Sequence, residues 1–172
     1  MKPAQWIGRH FAFGQMAGLH VEMIERLRGT PARLEDRLSS LSRDVRTRRP
    51  GERWTIQEEA GHLLDLEPLV ARRVQEFLDG VATLHAADMT NKATFDAHHN
   101  DRPLSEILAG FRAARGQTIS RLEGLEPADF DRSAVHPRLN RSLTLTDMLY
   151  FQAEHDDHHL ARISELLGIF AI

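Results

Sequence analysis

Hydrophobic positions along this chain recur at three- and four-residue spacing, and no run alternates as a half-buried strand does. The first helical region runs from about Phe13 to Leu41. Gly29-Thr30-Pro31 reads as an interruption, since Thr30 can cap a restart and Pro31 suits a first helical turn. Leu34, Leu38 and Leu41 then repeat at helical spacing. Arg43 to Arg53 holds five arginines and Pro50-Gly51, an exposed connection. Thr55-Ile56-Gln57-Glu58 is a capping box that opens a second helix, with Ile56, Leu63, Leu66, Val70 and Phe77 on its apolar face and Asp79-Gly80 at its end. His62 shares the inward stripe of Leu66 and Leu69 rather than the charged face of Arg72 and Arg73.

The pattern lapses from Val81 to Arg102 apart from a short helix around Asn91–Ala97. A connection of that length can return the chain along a bundle and make the second and third helices parallel. The third helix starts near Pro103, carries Leu104, Ile107, Leu108, Phe111, Ile119 and Leu122, and stops at Gly124; its pattern reads as structural. A polar connection, Glu126 to Arg141, contains His136-Pro137-Arg138. The fourth helix starts after Ser142 or Thr144 and ends at Gly168. Its core-facing stripe is Met148, Gln152, His155, His159 and Ile163. The fold class is therefore all-α, and residues 1–172 are read as a single domain.

That last stripe carries the chemistry. His155 and His159 are four residues apart, so they stand one above the other on one helical face. Neutral imidazole suits Zn, Ni, Fe and Cu. Joined by His62 from another helix, the pair would make a three-His site with coordination positions left open, as catalytic metals need. Taken alone, His62 reads as an ordinary satisfied core histidine. His158 falls one step off the stripe and reads as exposed or as a supporting group. Asp156 occupies the place of the zincin glutamate, so the segment does not read as a metalloprotease. Glu59 and Asp65 flank His62 in sequence and are candidates either for orienting the imidazoles or for a general base. Glu154, Asp156 and Asp157 adjoin the pair, Asp157 as part of a solvated face. His98 and His99 read as surface residues. His136 and Arg138 could overhang a site at one bundle end, but read as a surface loop.

Composition narrows the classes. Charged residues make up 27%, and the net charge of -3 with histidine neutral points to no nucleic-acid or membrane surface. The absence of cysteine removes disulfides, thiolate nucleophiles and Cys-ligated zinc, and fits a reducing cytoplasm. No apolar run approaches the roughly 20 residues of a membrane span. Ten histidines are the unusual feature, and they form no tag. No phosphate loop or nucleophile elbow is present.

Trp54-Thr55-Ile56-Gln57-Glu58-Glu59-Ala60-Gly61-His62-Leu63, Arg102-Pro103-Leu104, and Ala153-Glu154-His155-Asp156-Asp157-His158-His159-Leu160-Ala161-Arg162-Ile163 together resemble the DinB/YfiT-like superfamily. The resemblance implies a four-helix bundle of up-down-down-up topology. It implies a divalent metal, usually nickel or zinc, on three histidines that match His62, His155 and His159, and it implies a homodimer. It also implies a small-molecule substrate. Relatives include thiol-dependent S-transferases that use bacillithiol or mycothiol, a mycothiol-dependent maleylpyruvate isomerase, and members regarded as metal-dependent hydrolases. Three functions follow: transfer of a low-molecular-weight thiol activated by the metal, hydrolysis by activated water, or a non-catalytic bundle that the metal stabilises.

Overall fold

The computed structural model describes residues 2–14 and 18–170. Helix α1 covers His20–Leu38 and buries Met23, Ile24, Leu27, Leu34 and Leu38. It begins later than the apolar pattern predicts: Phe13 and Gly14 form a turn, and residues 15–17 of the expected helix lie outside the described residues. Nor is it interrupted at Gly29-Thr30-Pro31. Pro31 sits inside the helix, where its missing N–H leaves the carbonyl of Leu27 without a helical donor. Arg115 supplies that donor, its Nη1 lying 3.1 Å from the Leu27 oxygen. Thr30 caps nothing; its hydroxyl bonds back to the Arg26 carbonyl at 3.3 Å.

The Arg-rich connection holds one short helix, α2 (Arg43–Arg46), with Ser42 as its cap. Helix α3 spans Ile56–Asp79 behind the expected capping box of Thr55 and Glu58, and Gly80 ends it in the left-handed conformation at φ 70°. The long connection includes α4 (Lys92–Asp96). Helix α5 covers Leu104–Glu123. The segment before the last helix departs from its reading as a plain polar connection. Ser133–His136 (β1) and Arg141–Thr144 (β2) pair antiparallel, Ala134 opposite Leu143 and His136 opposite Arg141. The long connection joins this hairpin through a parallel bridge between Thr83 and Val135. Four-residue strands are too short to show a period of two convincingly. β2 runs straight into α6 (Leu145–Ile169), which Thr144 and Asp147 cap as a second capping box.

Side-chain pairs give the helix directions. Arg26 meets Glu154 and Asp157, Arg33 meets Asp157, and Arg37 meets Ser164, so α1 and α6 ascend together. Leu64 lies against Gly110, Glu67 bonds Arg115 and Gln75 bonds Arg121, so α3 and α5 also run parallel. Arg28 pairs with Glu123 and Glu35 with Arg112, which sets α1 antiparallel to α5. The bundle is therefore up-down-down-up.

One apolar cluster gathers Leu27, Phe77, Leu122 and Leu149; the other gathers Leu34, Leu63, Phe111 and Ile163. Between them on every helix lies a buried ionic knot. Arg115 from α5 reaches Glu67 on α3 at 2.6 Å, Asp156 on α6 at 2.6 Å, and the Leu27 carbonyl on α1. Burial acts to lower the Arg115 pKa, but Asp156 and Glu67 outweigh it and keep the guanidinium charged. One side chain thus ties all four long helices at the level of the histidines. No helix among the described residues is long and apolar enough to cross a membrane.

Candidate metal centre

The antiparallel packing of α3 against α6 brings three histidines together. His62 stands on α3, and His155 and His159 stand one turn apart on α6. All three are buried, and each offers a ring nitrogen within 4.8 Å of the others. The Nε2 atoms of His155 and His159 are 3.1 Å apart. Two imidazole nitrogens sharing a tetrahedral ion at about 2.0–2.1 Å would lie roughly 3.3 Å apart, so the pair is already near ligand spacing. Burial holds all three imidazoles neutral: His62 is lowered to about 4, and His155 and His159 fall well below the ordinary histidine value. Neutral rings keep the lone pairs that a metal requires.

Two of the three outer nitrogens are also committed. His159 Nδ1 lies 2.6 Å from Glu59 Oε2, and Arg162 Nε donates to Glu59 Oε1 at 2.5 Å. With Nδ1–H donating to the carboxylate, the proton-free Nε2 faces the other rings, the arrangement by which a carboxylate orients a ligating histidine. Burial pushes the Glu59 carboxyl upward, against the opposing charge of Arg162. His62 Nδ1 pairs with the hydroxyl of Thr94 at 3.0 Å, which likewise leaves Nε2 for the cluster. His155 Nδ1 is buried without a partner. The donor set, neutral and converging, fits a divalent cation of nitrogen preference.

Asp65 is not brought to this cluster. It accepts from His99 Nε2 at 2.8 Å. His99 is buried rather than on the surface, and Gly61 explains why: a Cβ there would lie 2.2 Å from the His99 ring. The missing side chain of α3 makes the recess that the imidazole fills. His98, as expected, is exposed. Asp156 is buried in the ionic knot with Arg115. Asp157 and Glu154 hold Arg26 on α1, tying the bundle rather than the site.

Aromatic rings complete the surroundings. Trp54 packs 4.7 Å from the His62 ring. Trp6 meets His155 edge-on at 5.1 Å and lies 5.7 Å from His158. Neither tryptophan shares a helix with the histidine it covers, so helical periodicity gave no signal for this role. A cavity of about 720 Å³ opens beside the rings. His158 lines it, half-buried, with its pKa lowered by burial. Leu66 and Leu69 continue the wall from His62, and Arg73 follows on the same stripe. Arg73 is thus buried, not on the charged face with Arg72. His136 and Arg138 line the cavity as well, and His136 is buried. They are not a surface loop, because the β1–β2 hairpin folds them inward.

Fold and site together define a four-helix-bundle protein with a buried three-histidine cluster lining a pocket. The profile of the DinB superfamily matches residues 26–163, and the chain belongs to that superfamily. Among solved structures, YfiT from Bacillus subtilis, described as a probable metal-dependent hydrolase with an unusual four-helix bundle topology, aligns with a TM-score of 0.81. It is 22% identical, over 96% of this chain and 95% of that one. The mycothiol-dependent maleylpyruvate isomerase aligns with a TM-score of 0.65 at 10% identity, over 83% of this chain and 59% of the isomerase. At such identities the likeness establishes the fold. No curated protein matches the sequence.

Proposed function

We propose that this protein is a metal-dependent enzyme that activates a low-molecular-weight thiol for transfer to an electrophilic small molecule. The observation that carries the reading is the convergence of neutral His62, His155 and His159 beside an open cavity. His62, His155 and His159 would hold a divalent ion; three imidazoles suit Zn, Ni, Fe or Cu, and the superfamily resemblance favours nickel or zinc. When bound, such an ion supplies the positive charge that makes a thiol a thiolate at neutral pH. Glu59 orients His159, and Trp6 and Trp54 shield the rings. His158 is neutral on the cavity wall and can take the proton the thiol loses. The chain lacks cysteine, so the sulfur nucleophile has to come from a cofactor.

A thiol is favoured over water by the state of the carboxylates. Both oxygens of Glu59 are engaged, by His159 and Arg162. The acids that line the cavity among the described residues, Glu52 and Asp88, are exposed, and Asp88 is held by Thr90 and Lys92. Hydrolysis of the zincin kind uses a free carboxylate base next to the metal. A thiol starts from a pKa near 8.5 and needs far less help than water. The likeness to YfiT, described as a probable metal-dependent hydrolase, keeps hydrolysis as the second reading. A purely structural metal is disfavoured by the cavity, since a structural site is closed.

The test is conjugate formation with bacillithiol, mycothiol and glutathione separately, against an electrophile panel, with and without nickel or zinc. Conjugation that requires both metal and one thiol, and that is lost in His62→Ala, supports the proposal. Metal-dependent ester or amide hydrolysis without any thiol, and no conjugation, replaces it with the second reading.

A further inference from the structure

The cavity has a second polar end that the metal centre does not use. Arg73 stands eleven residues beyond His62 on α3, roughly 16 Å at 1.5 Å rise per residue. Because α6 runs the other way, Phe151 lies toward the same end. Phe151 packs against His136 at 5.2 Å and lies under the Arg138 guanidinium at 5.4 Å.

Among the described residues, none of the three polar groups there forms an ion pair, although Glu76 attracts Arg73 at longer range. The guanidinium of Arg73 is buried; its Nε and Nη2 donate to the His85 carbonyl at 3.1 and 2.9 Å. Its nearest acid in sequence, Glu76, is engaged by Arg72 at 2.9 Å and by the His85 N–H at 2.7 Å. Among the described residues neither Arg73 nor Arg138 forms a salt bridge, and Arg138 Nη2 is buried with no hydrogen-bond partner. His136 Nδ1 accepts from the Leu139 N–H at 3.3 Å. The proton of the neutral ring is therefore on Nε2, and that buried donor has no partner either. Burial, Arg73 and Arg138 hold His136 down to about 4, and burial lowers Arg73 to about 10. Buried donors without acceptors are rare and costly, and two arginines that share a wall without an ion-paired acid form a complement to an anion. The acids of the cavity lining, Glu52 and Asp88, are exposed, and Asp88 is taken up by Thr90 and Lys92.

We infer that Arg73, His136 and Arg138 seat a carboxylate of the ligand whose reactive group meets the three histidines. This rests on the proposed function for what happens at the other end, but not for the binding itself. Leu66, Leu69 and Met89 line the cavity too. The ligand class is thus an elongated acid with an apolar middle.

Octanoate and octanamide make a matched probe pair, titrated calorimetrically into metal-free and metal-loaded protein. Metal-free wild type should bind octanoate about tenfold or more tightly than octanamide, the scale of a charge-assisted hydrogen-bond set. Arg138→Met and Arg73→Met should each reduce the preference to about threefold or less, and His155→Ala should leave it intact. Arg138 is less buried than Arg73, so Arg138→Met tests the site even where Arg73→Met fails to fold. Equal binding of the two probes by metal-free wild type overturns the inference. So does a preference that survives the double Met variant, or one that appears only with metal, which would place the carboxylate on the ion. A protein that binds no metal but keeps the preference retains this inference while losing the proposed function. Displacement of octanoate by the thiol that supports conjugation would assign the carboxylate to the cofactor, and simultaneous binding would assign it to the electrophile.

Discussion

Glu59 shows how much of the centre rests on single side chains. It is fully buried, and it bonds His159 on one side and Arg162 on the other. Glu59→Gln keeps the shape but removes the charge that holds His159 in its tautomer. Metal affinity should fall about 10–100-fold, the usual effect of losing such a partner, while the helical circular dichroism stays. Competition with a chromophoric chelator measures it, and unchanged affinity would remove Glu59 from the centre. Gly61 makes the complementary case. Gly61→Ala drives a Cβ into the His99 ring and should destabilise the fold by about 1–3 kcal/mol in urea unfolding, as overpacking does. The spacing of His155 and His159 is legible in sequence because both stand on one helical stripe. Thr94, Trp6 and Trp54 are not, because each reaches its histidine from outside that histidine's helix. The burial of His99 depends on an absent side chain 38 positions away, which no local pattern records.

At the scale of elements, the Thr55-Glu58 capping box marks the start of α3 in the sequence. The start of the last helix is read there only as after Ser142 or Thr144, and the structure settles it with a second box of Thr144 and Asp147. Thr144→Ala should cost about 1 kcal/mol, seen as a lower urea midpoint at unchanged slope. An equal midpoint would show that the hairpin fixes the start of α6 without the cap. Pro31 reads as a break by local rules because its partner, Arg115, is 84 residues away; the helix persists because that guanidinium takes the Leu27 carbonyl. Arg115 is also what the third helix conceals, since an arginine among leucines and glutamates looks solvated. Arg115→Met leaves Glu67 and Asp156 buried and unpaired, and should destabilise by about 3–5 kcal/mol. Thermal unfolding with the double variant Glu67→Gln/Asp156→Asn as background tests this: recovery there is expected, and an equal loss in that background would mean packing, not charge, is at stake. The β1–β2 hairpin stayed hidden because its strands are four residues long.

For the whole molecule, the bundle and its parallel pairs follow from helix count and the long second connection, while the pocket depends on how hairpin and N-terminal segment close over α6. The buried histidines link stability to pH. His62 and His136 titrate near 4 in the fold against 6.5 when unfolded. Between those values the unfolded chain binds more protons, so stability rises with pH and is lost as pH falls, by about 1.4 kcal/mol per pH unit for each histidine. His155 and His159 act in the same sense. Glu59 and Glu67, raised by burial, act oppositely from about pH 4.5 upward, and the four histidines outnumber them. Metal-free protein should therefore lose melting temperature steadily from pH 6.5 to pH 4.5; a flat profile would mean the rings are solvated.

The central claim is that His62, His155 and His159 together hold one ion. Elemental analysis of wild type and four alanine variants, each checked for helical circular dichroism, tests it directly. Wild type should carry a stoichiometric divalent metal, His62→Ala, His155→Ala and His159→Ala should each lose it, and His158→Ala should keep it. Folded wild type that takes up no nickel or zinc, or metal lost from His158→Ala while any of the other three retains it, would contradict the account.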